Sequence, residues 1–126
     1  MKEETISRIA VIILAVVLAA FGIYHLMHPT DLINYVPDFL PGGIMWVYVV
    51  GIAFILAAVA FIAHRQVKLA GYLLALLLFL FVLTIHLPNY LHSGDLEMKN
   101  LSFVNMLKDS ALAAFAMYIA SNAKKI

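Results

Sequence analysis

Leu101–Ala120, LSFVNMLKDSALAAFAMYIA, is the stretch on which the fold turns, because its only charges are Lys108 and Asp109. A helix beginning after Asp109 would keep only Ser110–Ala120, too short to cross a hydrocarbon core. Crossing takes about 20 residues, each rising about 1.5 Å through about 30 Å. The stretch therefore reads as a complete membrane span with Lys108 and Asp109 inside it, roughly two turns from one end.

Three more apolar blocks precede it. The first, Ile6–Met27, closes at His28–Pro29, where proline removes an amide donor and stops the helix. The second, Ile44–Ala63, follows the breaker Pro41–Gly42–Gly43, and the third, Leu69–Leu87, is expected to end before Pro88–Asn89. Isolated apolar segments in lipid must satisfy their own backbone, so these are helices rather than strands. The expected architecture is an all-α, four-helix transmembrane bundle, with residues 1–126 forming a single integral membrane domain.

Composition agrees. Of the 126 residues 65% are hydrophobic and 12% charged, with mean hydropathy +1.01, against about 25% charged in soluble domains. A soluble domain this small could not bury so much apolar surface. The absence of cysteine excludes disulfides, CxxC redox chemistry, thiolate zinc sites and cysteine-ligated iron–sulfur clusters. A net charge of +1, with no basic run longer than Lys124–Lys125, gives no support for nucleic-acid binding. There is no glycine-rich phosphate loop and no self-contained catalytic motif.

Lys2 and Arg8 flank the apolar run Ile9–Met27, which exceeds the roughly 7–15 residues of a signal-peptide core, so the first span reads as retained. With an even number of crossings, Lys2, Arg8, Arg65, Lys68, Lys124 and Lys125 share one side. The opposite connections carry Lys99 with Asp31, Asp38, Asp95 and Glu97. The positive-inside rule then predicts both termini in the cytoplasm, and a bacterial inner membrane is the expected location. Leu32–Leu40, with Tyr35, Pro37 and Phe39, reads either as an interfacial segment or as a loop. Trp46, Tyr48 and Tyr90 read first as belt aromatics.

At 100° per residue, Ser102, Asn105, Asp109 and Ala116 share one stripe of the fourth span, with Ala113 and Ala120 nearby and Lys108 on its edge. Ionisable residues cost about 2.5–3.5 kcal/mol at the membrane centre on insertion scales and mark interior or functional positions. Three explanations stay open: a functional cavity, structural glue with a snorkelling Lys108, or a misplaced outer boundary. His25 and His86 lie at matching ends of the first and third spans. His25, His86, Asn105, Lys108 and Asp109 therefore reach a similar depth, where they could bind a small polar head and move protons. His64 and His92 fall in turns and read as solvated. Axial haem ligation by His25 and His86, backed by Asn105 or Asp109, is the lesser alternative. No HExxH spacing points to a hydrolytic metal site.

The order of short motifs resembles the DoxX family of small four-span membrane proteins. The motifs are Arg8, Phe21-Gly22-Ile23-Tyr24-His25-Leu26-Met27-His28-Pro29, Tyr35-Val36-Pro37-Asp38-Phe39-Leu40-Pro41, Gly51-Ile52-Ala53, His64-Arg65 and Leu107-Lys108-Asp109. The likeness runs from about Arg8 to Ala120. Many members of that family carry a glutamate directly after the small-residue stretch, where this chain has Phe54. The resemblance implies an accessory or anchor subunit in a quinone-linked redox process. Quinone carbonyls would lie near Lys108, His25 or His86, and the ring against Phe21 or Phe79. Partners would be membrane lipid and a homodimer or membrane redox complex, the small-residue stripes Ala15/Ala19 and Ala53/Ala57/Ala60 serving internal or intermolecular packing. Two other functions fit the residues: a module that binds or transports a small hydrophobic molecule or lipid, and a structural or chaperone-like membrane component.

Overall fold

The computed structural model describes residues 2–123, so Lys124 and Lys125 lie outside the described residues. Helix α1 is Glu3–Met27, α2 Pro29–Leu32, α3 Ile44–Ala63, α4 Val67–Phe81, α5 Leu87–His92 and α6 Leu96–Asn122. A 3₁₀ turn, Ile33–Tyr35, follows α2, and a π turn, Val82–His86, joins α4 to α5 without a break. No strand occurs among the described residues. Among the described residues, four continuous helices are long and apolar enough to cross a membrane: Glu3–Met27, Ile44–Ala63, Val67–His92 and Leu96–Asn122. The chain is an all-α, four-helix transmembrane bundle and an integral membrane protein.

The bundle is built from two hairpins, α1 with α3 and α4 with α6, joined where α3 meets α4. Each hairpin is tightened by glycine. A Cβ on Gly22 of α1 would lie 2.7 Å from the Gly51 carbonyl oxygen of α3, and one on Gly71 of α4 would lie 2.8 Å from the Ala116 carbonyl oxygen of α6. Such backbone-to-backbone approach supplies the dispersion contacts that hold helices together where lipid offers no hydrophobic drive. Inside, Leu14, Leu18, Phe54, Phe61, Leu74 and Leu78 interlock with Ala15, Ala58, Ala75, Ala113 and Ala116. Ala15 and Ala57 are buried within the chain itself, so those members of the small-residue stripes serve internal packing. Outward faces carry Ile13, Val16, Leu56, Leu73, Leu83 and Tyr118, as helices in lipid require.

Each hairpin is also clamped at one end by a cation. Arg8 at the start of α1 donates to the Phe61 and Ile62 carbonyls at the end of α3, at 2.8 and 2.6 Å. Lys68 at the start of α4 donates to the Ala120 carbonyl near the end of α6, at 3.0 Å. Helix C-termini leave carbonyls unpaired and carry partial negative charge, so both clamps satisfy acceptors and complement the dipole. The clamps put Arg8 and Lys68 at the same end of the bundle, with Arg65 in the turn between them. In that turn His64 and Gln66 adopt left-handed backbone conformations, φ 57° and 54°.

Two helix limits differ from expectation by five residues, the others by three or fewer. The third span does not stop before Pro88; it continues to His92. Proline lacks an N–H and its ring clashes with the carbonyl four residues back, here Thr84. The π turn absorbs this: Leu87 N–H bonds Val82 O, five residues back, and the helix resumes beyond. The fourth helix begins at Leu96 rather than Leu101, because the Asp95 carboxylate caps it by accepting Glu97 N–H at 3.2 Å. Lys108 is therefore twelve residues into α6, about 18 Å along its axis and closer to its middle than the sequence suggested.

Candidate functional site

A cavity of about 550 Å³ lies between the two hairpins at the end away from the Arg8 and Lys68 clamps. Its walls are Leu18 and Phe21 of α1, Val50 and Phe54 of α3, Leu78 and Phe81 of α4, and Leu112 of α6. The Leu32–Leu40 segment covers it through Leu32, Tyr35, Val36, Pro37, Phe39 and Leu40. The segment, expected as interfacial or as a loop, lines the cavity at that end. It forms the cavity roof, running from the last residue of α2 through the 3₁₀ turn Ile33–Tyr35 into turns without regular structure.

All five polar residues singled out from the sequence, His25, His86, Asn105, Lys108 and Asp109, border this cavity. They do not form one cluster. His86 Nε2 lies 2.9 Å from Asp109 Oδ2, joining the π turn to α6, and both residues are buried, at 8% and 6% exposure. Lys108 Nζ lies 3.5 Å from Asn105 Oδ1, 3.9 Å from Asp109 Oδ1 and 5.1 Å from the Phe21 ring centre. Asp109 therefore stands between a buried imidazole and a half-exposed ammonium, and Lys108 reaches from α6 to the face of a ring on α1. That is a cation–π contact across the seam between the hairpins.

His25 stands apart. Its Nδ1 donates to the Phe21 carbonyl at 2.6 Å, which fixes the tautomer and leaves Nε2 as the acceptor of the neutral ring. Its ring meets Phe54 edge-on at 5.4 Å. Phe54 also packs on Phe21 at 6.1 Å and on Phe81 at 6.3 Å, and is 4% exposed. A glutamate at that position would set a carboxylate beside His25; Phe54 sets the hub of an aromatic cluster there. Phe79 is absent from the cavity wall and 38% exposed. It follows Leu78 by about 100° of helix rotation and so faces outward, leaving Phe54 and Phe81 as the rings beside Phe21.

His86 differs from His25 in this respect: its Nδ1 is sealed from solvent and has no hydrogen-bond partner among the described residues. Its Nε2 is engaged by Asp109, so His86 offers no free Nε2 for axial ligation of a haem iron. Among the described residues, no group of three or more His, Asp or Glu side chains is placed to hold a metal ion.

Several cavity residues escaped sequence reasoning, among them Thr84, whose hydroxyl donates to Leu80 O at 2.6 Å, and Trp46, whose indole donates to Pro41 O at 2.6 Å. A proline four residues after Thr84, inside an otherwise apolar helix, is the signal that flags the π turn.

A family model described as "Domain of unknown function (DUF8561)" matches residues 14–120, and the chain belongs to that family. No curated protein and no solved structure matches it.

Proposed function

We propose that this DUF8561 member is an integral membrane binding protein of a quinone-linked process, serving as an accessory or anchor subunit. The observation that carries this reading is the cavity itself: aromatic and aliphatic walls, a polar corner of His86, Asp109, Asn105 and Lys108, and a position within the apolar length of the bundle. Ligand pockets commonly combine such apolar lining with a few placed polar groups, and 550 Å³ falls in the usual range of about 300–1,000 Å³. The DoxX resemblance supports the quinone class in particular.

The residues present fit a quinone head. Phe21, Phe54 and Phe81 offer ring faces and edges, and Lys108 offers a cationic donor at the rim. When bound, the quinone supplies two-electron, two-proton chemistry, the electrons coming from a cofactor of the partner complex. The chain's own part is to orient the head, exclude water and present hydrogen-bonding groups. The bundle end bearing Arg8, Arg65 and Lys68 faces the cytoplasm of a bacterial inner membrane, which sets the cavity toward the outer leaflet.

A second reading, a carrier of a nonredox lipid or other small hydrophobic molecule, draws on the half-exposed Lys108, which suits an acidic head group equally well. Gentle extraction followed by mass spectrometry and absorption spectroscopy separates the two. A co-purified quinone whose absorbance changes on reduction supports the first reading; a retained lipid with no redox spectrum replaces it with the second. A cavity that never retains any small molecule contradicts both and leaves His86–Asp109 as structural glue. The orientation is tested separately, by labelling cysteines placed at Asp95 and Gln66. Only position 95 should react with an impermeant reagent from outside.

A further inference from the structure

A second concavity, of about 390 Å³, occupies the same gap between the roof and the third span. Along that span Thr84, Ile85 and His86 border the cavity, while Pro88, Asn89 and His92, nearer the helix end, border the second concavity. The roof divides in the same way. Leu32 and Val36 border the cavity, and Asp31 and Asn34 border the second concavity. The two are successive compartments of one gap, an apolar one within the bundle and a polar one at its end.

Tyr35 borders both compartments, and among the described residues no other side chain does. It is half-buried and ends the 3₁₀ turn Ile33–Tyr35. Tyrosine suits such a boundary, having an apolar ring and a polar tip. The roof that carries it is held to the other side of the gap by packing alone. Its backbone hydrogen bonds are local: Asp31 N–H to His28 O at 3.2 Å, Val36 N–H to Ile33 O at 3.0 Å and Leu40 N–H to Pro37 O at 3.1 Å. Among the described residues, no hydrogen bond or ion pair joins residues 29–40 to the third span or to α6. Segments tied only to themselves open at a small fraction of the free energy of global unfolding.

We infer that Tyr35 is the gate between the cavity and water at this end of the bundle. Its ring separates the polar compartment from the apolar one, and its displacement admits water and small polar solutes. The inference rests on the cavity as a binding site and adds the route by which water and protons reach a bound head, from the solution beyond Asp31 and His92.

The chain contains no cysteine, so single introduced cysteines report access without background. The test uses the full chain in lipid nanodiscs, which leave both ends in solution, and a small anionic methanethiosulfonate. A charged reagent is excluded from hydrocarbon and reacts with the thiolate, so its rate reports water at the cysteine. Leu112→Cys marks the α6 wall of the cavity, Asn89→Cys the polar compartment and Leu56→Cys the lipid-facing side of α3. Asn89→Cys should react quickly, and Leu112→Cys at least tenfold more slowly. Adding Tyr35→Ala should raise the Leu112→Cys rate at least tenfold. Tyr35→Phe, which keeps the ring, and Val36→Ala, which trims a side chain bordering the cavity alone, should leave it low. Leu56→Cys should stay unreactive throughout, as an intact bundle requires. Should Tyr35→Ala make Leu56→Cys reactive, the milder truncation Tyr35→Leu takes its place under the same criteria. An unreactive Asn89→Cys overturns the inference. So does a fast Leu112→Cys with Tyr35 in place, a rate unmoved by truncating Tyr35, or an equal rise with Val36→Ala. No ligand enters the measurement, so these rates decide the gate whether or not the cavity retains a quinone.

Discussion

Gly22 and Gly51 are in backbone contact: a Cβ on Gly22 would meet Ile55 Cγ1 at 2.6 Å and the Gly51 carbonyl oxygen at 2.7 Å. This crossing lies three residues before His25, and a Cβ on Gly51 would in turn meet His25 Cβ at 2.8 Å. The glycine pair therefore sets the spacing of the α1–α3 hairpin and the position of a cavity-lining histidine at once. Gly22→Val should destabilise the bundle by at least about 1–3 kcal/mol, the usual cost of overpacking. Thermal unfolding in detergent measures this, and an unchanged midpoint would mean that α1 and α3 do not meet here.

The Arg8 clamp gives a second expectation. Its two nitrogens hold adjacent carbonyls, a forked geometry that lysine's single ammonium cannot reproduce. Hydrogen bonds to charged groups contribute about 1.5–3 kcal/mol, and the part-exposed setting favours the lower end. Arg8→Gln should cost about 1–2 kcal/mol and Arg8→Lys a fraction of that. Both should leave ligand binding intact, because the clamp is at the end of the bundle remote from the cavity.

Pro88 separates stability from binding. Proline inside a helix is unfavourable by about 3 kcal/mol relative to alanine, so Pro88→Ala should leave the protein as stable or more so. The same change removes the reason for the π turn. Regular α-helical winding through residues 82–86 would shift His86 in phase relative to Asp109. Nitrogen-detected magnetic resonance should then show a weakened His86 Nε2–Asp109 bond, with at least a tenfold loss of probe affinity in the same variant.

Much of this architecture was legible in the apolar blocks. Their length, their breakers at His28–Pro29 and Pro41–Gly42–Gly43, and the low charge of Leu101–Ala120 suffice for four helices. The stripe Ser102, Asp109, Ala113, Ala116 and Ala120 is buried as its 100° spacing implied, with Asn105 half-buried. Matching depth also brought all five polar candidates to one cavity. Depth alone could not tell which of them touch, since that depends on helix rotation and partner choice. Asp109 therefore meets His86, while His25 bonds its own helix. Proline's preference for ending helices concealed the continuation through Pro88, where a widened turn relieves the clash. The roof was hidden for another reason: Leu32–Leu40 has no single periodicity, and the cavity that Leu32, Tyr35, Val36 and Leu40 line is formed by residues distant in the chain.

The proposed function gives Lys108 a part in recognition rather than in folding. Its side chain is 45% exposed and its nearest polar partner is 3.5 Å away. Lys108→Met should change stability by no more than about 0.5 kcal/mol, as for surface substitutions generally. Affinity for probes with a carbonyl or acidic head should fall about tenfold, and affinity for purely hydrocarbon probes should not change. Equal losses for both classes would show that Lys108 shapes the cavity instead of contacting the head.

The central claim is that a ring-bearing hydrophobic molecule occupies the cavity between the hairpins. The chain's single tryptophan, Trp46, borders that cavity and reports on it directly. Titrating nanodisc-embedded protein with a short-tailed benzoquinone should quench Trp46 fluorescence along a saturable curve. Val50→Phe, which fills the wall, should abolish the saturable component while leaving the fold intact. Quenching that rises linearly with probe in the lipid, identically in wild type and Val50→Phe, would contradict the account.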